Sequence, residues 1–284
     1  MKPKASTLVA GVALFCALGA SVSRAQDLIL AGADSPGSDS APAVVLPAAG
    51  GPALPNLPAL LPRMTPELAL STYQDRSGRQ LADLGSYTDT TVIEAQLPSS
   101  RQKGKFELER TYSAPRSLAF RALHFVGDGF VKTNVIVRWL QSEVDRAQKG
   151  DGAATALNDA NYKFSFKGAD ELDGHQVYVY QVKPRRKAQG LFKGRVLIDA
   201  RSGSIRRAEG TLVKSPSFFL KKIEFVQDYG DFGGFSLPVR LHSVVQTRLV
   251  GPTILDVLHS DYRPKSLAEM HTGGVAAVAA SATN

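Results

Sequence analysis

The stretch FSLPVRLHSVVQTRL, residues 235–249, decides the fold. Leu237, Val239, Leu241, Val245 and Leu249 fall on alternate positions, and Arg240, His242, Gln246 and Arg248 take the positions between them. A repeat of two is that of a strand with one dry face and one wet face. The dry face must be covered, either by the chain's own side chains or by something apolar from outside.

Working outward, the same alternation predicts strands at 86–97, 105–113, 117–126, 161–168, 174–183, 191–200, 204–213, 218–227 and 253–262. Tight connections such as ELDG, RSGS and DYGDFGG separate neighbours and imply antiparallel succession. Asp199, before RSGS, reads as a turn opener whose carboxylate accepts backbone N–H groups.

Two segments break the period. In MTPELAL, Thr65 can cap, Pro66 suits the first turn and Glu67 favours the positive end, so a helix is expected over 66–84, with a break near Gly78 and Leu68, Leu81 and Leu84 inward. In KTNVIVRWLQSEVDRAQKG, Val135, Ile136, Trp139, Leu140 and Val144 recur at helical spacing. A second helix over 133–146, capped by Thr133 or Asn134 and stopped by Gly150, follows.

So many antiparallel strands must curl, split or close, and more than about eight leave room inside. The expected fold is mainly β (α+β): a curved antiparallel half-open barrel of about ten strands lidded by two amphipathic helices. Its concave side is predicted to carry Tyr87, Phe106, Leu108, Phe120, Tyr162, Phe164, Phe166, Leu241 and Val245, faced by Ile136, Trp139 and Leu140. These are the candidate ligand-binding residues, on the reasoning that large aromatics interlock poorly and leave an apolar slot for a ligand.

The chain ends read differently. Met1, Lys2 and Lys4, the apolar run Leu8–Leu18 and GASVSRAQ follow the order of a secretory signal, cleaved after Ala25. The only cysteine, Cys16, lies within it, and bulky Phe15 before it argues against lipid attachment. Residues 26–62, rich in Ala, Pro, Gly and Ser, read as a disordered spacer, 63–264 as the folded domain, and 265–284 as a disordered tail. The net charge of +8 includes Lys2, Lys4 and Arg24 of the signal, and no basic stripe with interleaved aromatics points to nucleic acid.

Motifs for metal-dependent proteolysis, serine hydrolysis, phosphate loops and dinucleotide binding are absent from the sequence. The histidines His124, His175, His242, His259 and His271 lack metal-ligand spacing and read as exposed strand or loop residues. No catalytic residue, metal or cofactor is assigned. Two basic clusters, Lys183/Arg185/Arg186/Lys187 and Arg201/Arg206/Arg207, read as hairpin tips. With Phe218 and Phe219 of SPSFFLKK, the residues Arg185, Arg186 and Lys187 form a candidate rim for a membrane or partner.

The phrases LADLGSYTDTTV, DGHQVYVYQVKP, GRVLIDARSGSIRRAEG, FSLPVRLHSV and SDYRP, in this order over 66–263, resemble the LolA/LolB/RseB-like proteins, the periplasmic lipoprotein-sorting carriers and their relatives. The resemblance implies a helix-lidded half-barrel whose apolar hollow receives lipid or lipoprotein acyl chains without chemistry. In the carrier, an arginine on the sheet ties down the lid; Arg110 and Arg121 lie in that region, and the resemblance does not choose between them. Expected, then, is a monomeric, non-enzymatic periplasmic carrier. The alternatives are a sensor or interaction module gripping a membrane-anchored regulator, or an outer-membrane β-barrel. Against the barrel stand the central amphipathic helix and Lys221, Lys222 and Glu224 on both faces of one strand.

Overall fold

The computed structural model describes residues 62–150, 152–248 and 251–270. The signal sequence with Cys16, the spacer up to residue 61, Leu249, His271 and the tail from 271 onward lie outside the described residues.

The alternating segments form ten strands: β1 Leu84–Leu97, β2 Gln102–Ser113, β3 Ser117–Gly127, β4 Tyr162–Leu172, β5 His175–Pro184, β6 Phe192–Asp199, β7 Ile205–Leu212, β8 Leu220–Phe232, β9 Phe235–Thr247 and β10 Pro252–Ser266. They make one sheet in the order β3-β2-β1-β10-β9-β8-β7-β6-β5-β4, and the paired neighbours run antiparallel. Hairpins supply every pairing but one. In that exception β1 meets β10, with Ile93 opposite Val257 and Ala95 opposite Leu255. Strands β3 and β4 are left as the two edges, so the sheet is open among the described residues, as the half-open barrel requires.

Register shifts bend the strands between Thr88 and Thr90, Phe166 and Gly168, Leu197 and Ile198, and Asp228 and Tyr229. Gly194 and Gly210 face each other where β6 and β7 approach most closely. A Cβ on Gly194 would lie 1.9 Å from the Glu209 carbonyl oxygen, so no larger residue fits.

Helix α1, Pro66–Asp83, starts as expected: Thr65 Oγ1 accepts the Leu68 amide at 3.3 Å and Pro66 fills the first turn. It runs unbroken through Gly78. Its buried face differs from expectation, because Ala69 and Tyr73 point inward while Leu68 is 53% exposed, and Leu84 is buried as the first residue of β1. Polar ties at both ends set this roll. The Tyr178 and Tyr180 hydroxyls donate to the Met64 and Pro66 carbonyls at 2.6 and 2.5 Å. Arg76 pairs with Asp231 at 2.6 Å, and the Gln80 amide both donates to Ser236 O and accepts from Ser236 N.

Between the two edges the chain runs through α2 Gly129–Val131, a π-helical turn Lys132–Ile136, α3 Val137–Lys149 and α4 Gly152–Thr155. The helix therefore begins earlier than position 133. Neither expected cap acts as one, since the Asn134 side chain donates within the helix to Phe130 O at 3.1 Å. Gly150 does stop α3, at φ 72°, with its amide on Arg146 O.

The main core joins this helical segment to the sheet's inner face: Val131, Val135, Ile136, Trp139 and Leu140 pack with Ile93, Phe106, Leu108, Leu241 and Leu255. A second cluster gathers Leu84, Tyr87, Tyr112, Leu237 and Tyr262.

Candidate functional site

Eight of the predicted ligand-binding residues, Phe106, Leu108, Ile136, Trp139, Leu140, Tyr162, Leu241 and Val245, are buried together in the main core, and Phe120 and Phe164 pack against it. Tyr87 and Phe166 depart from this arrangement. Tyr87 lies in the second cluster, stacked on Tyr112 at 5.2 Å between centroids, because polar residues of β1 separate it from Ile93. Phe166 is 46% exposed on edge strand β4, its ring against Tyr178 and Tyr180, because an edge strand is covered on one side only.

The inner wall is covered by the chain itself. The cavity beneath α1, lined by Tyr73, Gln80, Tyr87, Ile205 and Leu237, measures about 100 Å³. Ordinary ligand pockets begin near roughly 300 Å³. In this arrangement Ile136 and Trp139 are themselves buried against the inner wall.

How the two helical covers are held differs. Helix α1 is tied to β5 and to the β8–β9 hairpin by the hydroxyl, ion-pair and amide contacts above. Among the described residues, every side-chain hydrogen bond and ion pair of residues 129–149 stays inside that segment: Asn134 to Phe130, Gln141 to Asp145, Ser142 to Trp139, Arg146 to Glu143. Its link to the sheet is apolar packing plus the Lys132 ammonium over the Phe106 and Phe125 rings at 5.4 and 5.0 Å. Among the described residues the buried Trp139 Nε1–H has no hydrogen-bond partner.

Between the two apolar clusters lies a polar belt that the sequence reading missed. Arg110 Nε donates to Asp89 Oδ1 at 2.7 Å, and its Nη2 donates to the Tyr262 hydroxyl at 2.6 Å, which in turn donates to Pro238 O. The Thr91 hydroxyl donates to Asp89 Oδ2 at 2.8 Å, and His259 Nδ1 lies 3.0 Å from the same oxygen. Burial opposes charge on Asp89, but the His259 hydrogen bond and the Arg110 guanidinium outweigh it and hold the carboxyl below the usual range. Burial and the Arg110 charge push His259 down to about 4 against the pull of Asp89, so the ring is neutral at pH 7. A neutral ring protonated on Nδ1 donates to Asp89.

His259 is therefore a buried inner-face residue rather than an exposed one. Two other histidines also have carboxylate partners: His175 with Asp199 at 3.1 Å and His242 with Asp256 at 2.7 Å. The signal available in the sequence was the alternation Tyr87-Asp89-Thr91-Ile93, which places charge on the face that Ile93 buries. Of the two arginines left open, Arg110 engages Asp89 and Tyr262 and stacks over Tyr87 at 5.1 Å, while exposed Arg121 pairs with Glu109 at 2.5 Å. Asp199 opens its turn as expected, accepting the Arg201 and Ser202 amides at 2.9 Å.

At the predicted rim, Arg185 and Arg186 donate to the Asp159 and Ala154 carbonyls, Lys187 is exposed, and Phe218 protrudes with the half-buried Phe219 ring against it. Among the described residues, no group of three or more His, Cys, Asp or Glu could hold a metal, and no helix is long and apolar enough to cross a membrane.

No family model and no curated protein matches the chain. Among solved structures it is similar to a LolA superfamily protein from Nitrosomonas europaea, at 12% identity and TM-score 0.33, covering 70% of this chain and 93% of that one. A domain assigned to outer membrane lipoprotein-sorting proteins in Vibrio parahaemolyticus gives 13% identity, TM-score 0.36 and coverage of 70% and 93%. A Pseudomonas aeruginosa MucA/MucB complex gives 12%, 0.21, 69% and 99%.

Proposed function

We propose that the chain is a non-enzymatic periplasmic binding protein, and that its ligand is a lipid or lipoprotein acyl chain that takes the place of residues 129–149 on the inner wall. The observation that carries this reading is the contrast in how the covers are held. α1 is fastened by directional polar contacts, whereas the segment bearing Ile136, Trp139 and Leu140 reaches the sheet through apolar packing and one cation over two rings. Apolar packing is non-directional, so an acyl chain can replace it contact for contact.

The magnitudes are comparable. Burying Val131, Val135, Ile136, Trp139 and Leu140 contributes about 1.5–3 kcal/mol each, and an acyl chain contributes about 0.8 kcal/mol per CH₂, so about ten to nineteen carbons offset the loss. The π turn Lys132–Ile136 lies at the root of α3, where a mid-helix irregularity commonly marks a hinge. In this reading Phe106, Leu108, Phe120, Tyr162, Phe164, Leu241 and Val245 line the opened site, and the signal-like residues 1–25 direct export.

The chain has one tryptophan, Trp139, so its emission reports directly on α3. Titration of delipidated protein with a long-chain fatty acid should give a saturable red shift of that emission. Saturation absent at micromolar ligand, with emission unmoved, overturns the reading.

A second reading, a module that grips a membrane-anchored regulator, is favoured by Phe166 standing exposed on the unpaired edge of β4 beside Tyr178 and Tyr180. Stoichiometric capture of one membrane-anchored protein that Phe166→Asp abolishes, with Trp139 emission unchanged by fatty acid, selects it.

A further inference from the structure

An antiparallel meander sorts its turns by parity, so alternate turns share one pole of the sheet. At one pole lie the turns 98–101, 185–191 and 213–219, which connect β1–β2, β5–β6 and β7–β8, and the described residues Arg248 and Gly251 of the β9–β10 connection. Their sequences, PSSR, RRKAQGL, VKSPSFF and RLVG, contain Arg101, Arg185, Arg186, Lys187, Lys214 and Arg248 and no Asp or Glu. All six cations are exposed. At the other pole the turns 114–116, 173–174, 200–204 and 233–234 carry Arg116, Arg201 and Asp173, and Asp231 flanks the last of them.

The basic pole also carries the most exposed large apolar side chain among the described residues, Phe218, at 79%. Phe218 is not a frayed residue. The Arg248 guanidinium stacks 4.8 Å from its ring centroid, Arg248 Nε donates to the Phe218 carbonyl at 2.8 Å, and the Arg248 amide donates to Phe219 O at 2.9 Å. Phe219 meets the Phe218 ring edge to face. Two neighbouring turns are thus fastened together around a protruding aromatic, which is costly to leave in water unless something receives it. Arg185 and Arg186 each donate to one neutral backbone carbonyl.

We infer that this pole docks on an anionic phospholipid surface, with Phe218 entering the interface and the cations of the four turns meeting headgroup phosphates. A soluble anion has no use for a protruding phenyl ring, and an apolar protein patch has none for six clustered exposed cations; a charged bilayer interface satisfies both. The inference goes beyond acyl binding and does not rest on it.

The test is co-sedimentation of the chain, purified after export, with vesicles of phosphatidylglycerol and phosphatidylethanolamine and with vesicles of phosphatidylcholine alone. Binding should favour the anionic vesicles and weaken as salt rises. Phe218→Ser should lower the partition coefficient at least about tenfold, and the pair Lys187→Glu with Lys214→Glu about a hundredfold or more at low salt, whereas Arg201→Glu at the opposite pole should leave it within twofold. Circular dichroism of each variant verifies that the fold is kept. Equal binding to both vesicle types, or an Arg201→Glu loss as large as that of the Lys187/Lys214 pair, overturns the inference. So does retention of full binding in Phe218→Ser.

Discussion

Arg110 Nε and Asp89 Oδ1 stand 2.7 Å apart inside the sheet, with side chains 4% and 0% exposed. Replacing one member leaves the other as an uncompensated buried charge. Asp89→Asn should therefore lower stability by about 3–5 kcal/mol. The double variant Asp89→Leu/Arg110→Met should recover most of that loss, because no buried charge remains. Urea unfolding midpoints of the two variants check this, and equal losses would refute it.

His259 gives the belt a pH dependence. Its folded-state value of about 4 lies below the ordinary 6.5, so between those values the unfolded chain binds the proton more readily than the folded one. Stability should fall as pH drops from about 6.5 towards 4, and Asp89, itself lowered, adds to the loss only below the ordinary carboxylate range. Arg110, Asp89, Thr91 and Tyr262 are the polar groups facing the ring. His259→Gln should flatten the decline across that window, read from unfolding midpoints at pH 4 to 7.

Gly203 tests how tightly α1 is seated. Its φ is +66°, and an added Cβ would meet Thr72 Cγ2 at 2.6 Å, whereas Gly233 at φ +59° has open space around it. Both Gly→Ala changes incur the left-handed backbone cost of about 1 kcal/mol. Gly203→Ala should lose about 1–3 kcal/mol more through the clash with α1. The difference between their thermal midpoints isolates that clash.

Trp139 lies inside the core rather than over an open slot, so Trp139→Ala should cost about 3–5 kcal/mol. Trp139→Phe should cost markedly less. The indole N–H it removes has no partner to lose, and most of the ring volume is kept. Guanidinium unfolding of the two variants gives the comparison.

Much of the architecture was legible because it is local. Alternation at Leu241 and Val245 fixes a strand, RSGS fixes a turn, and Pro66 and Gly150 mark helix ends; each needs only near neighbours. The roll of α1 was not legible, because it depends on Tyr178 and Tyr180 more than a hundred residues away along the chain. Phe166 fits the period of the inner face, but period says nothing about whether a strand is central or an edge.

The sequence by itself determined which residues alternate, where the chain turns, and that one face of each strand must be dry, since side-chain direction follows from backbone period. Only the tertiary structure decided that β1 closes against β10, because strand order is a choice among long-range pairings of similar local quality. That pairing brings Asp89 to His259 across 170 residues, while the β1–β2 hairpin sets Arg110 opposite Asp89, so one inner face holds a charged belt between two apolar clusters. It decided, too, that residues 129–149 fill the interior, because filling depends on volumes meeting in space, and no single strand carries that information.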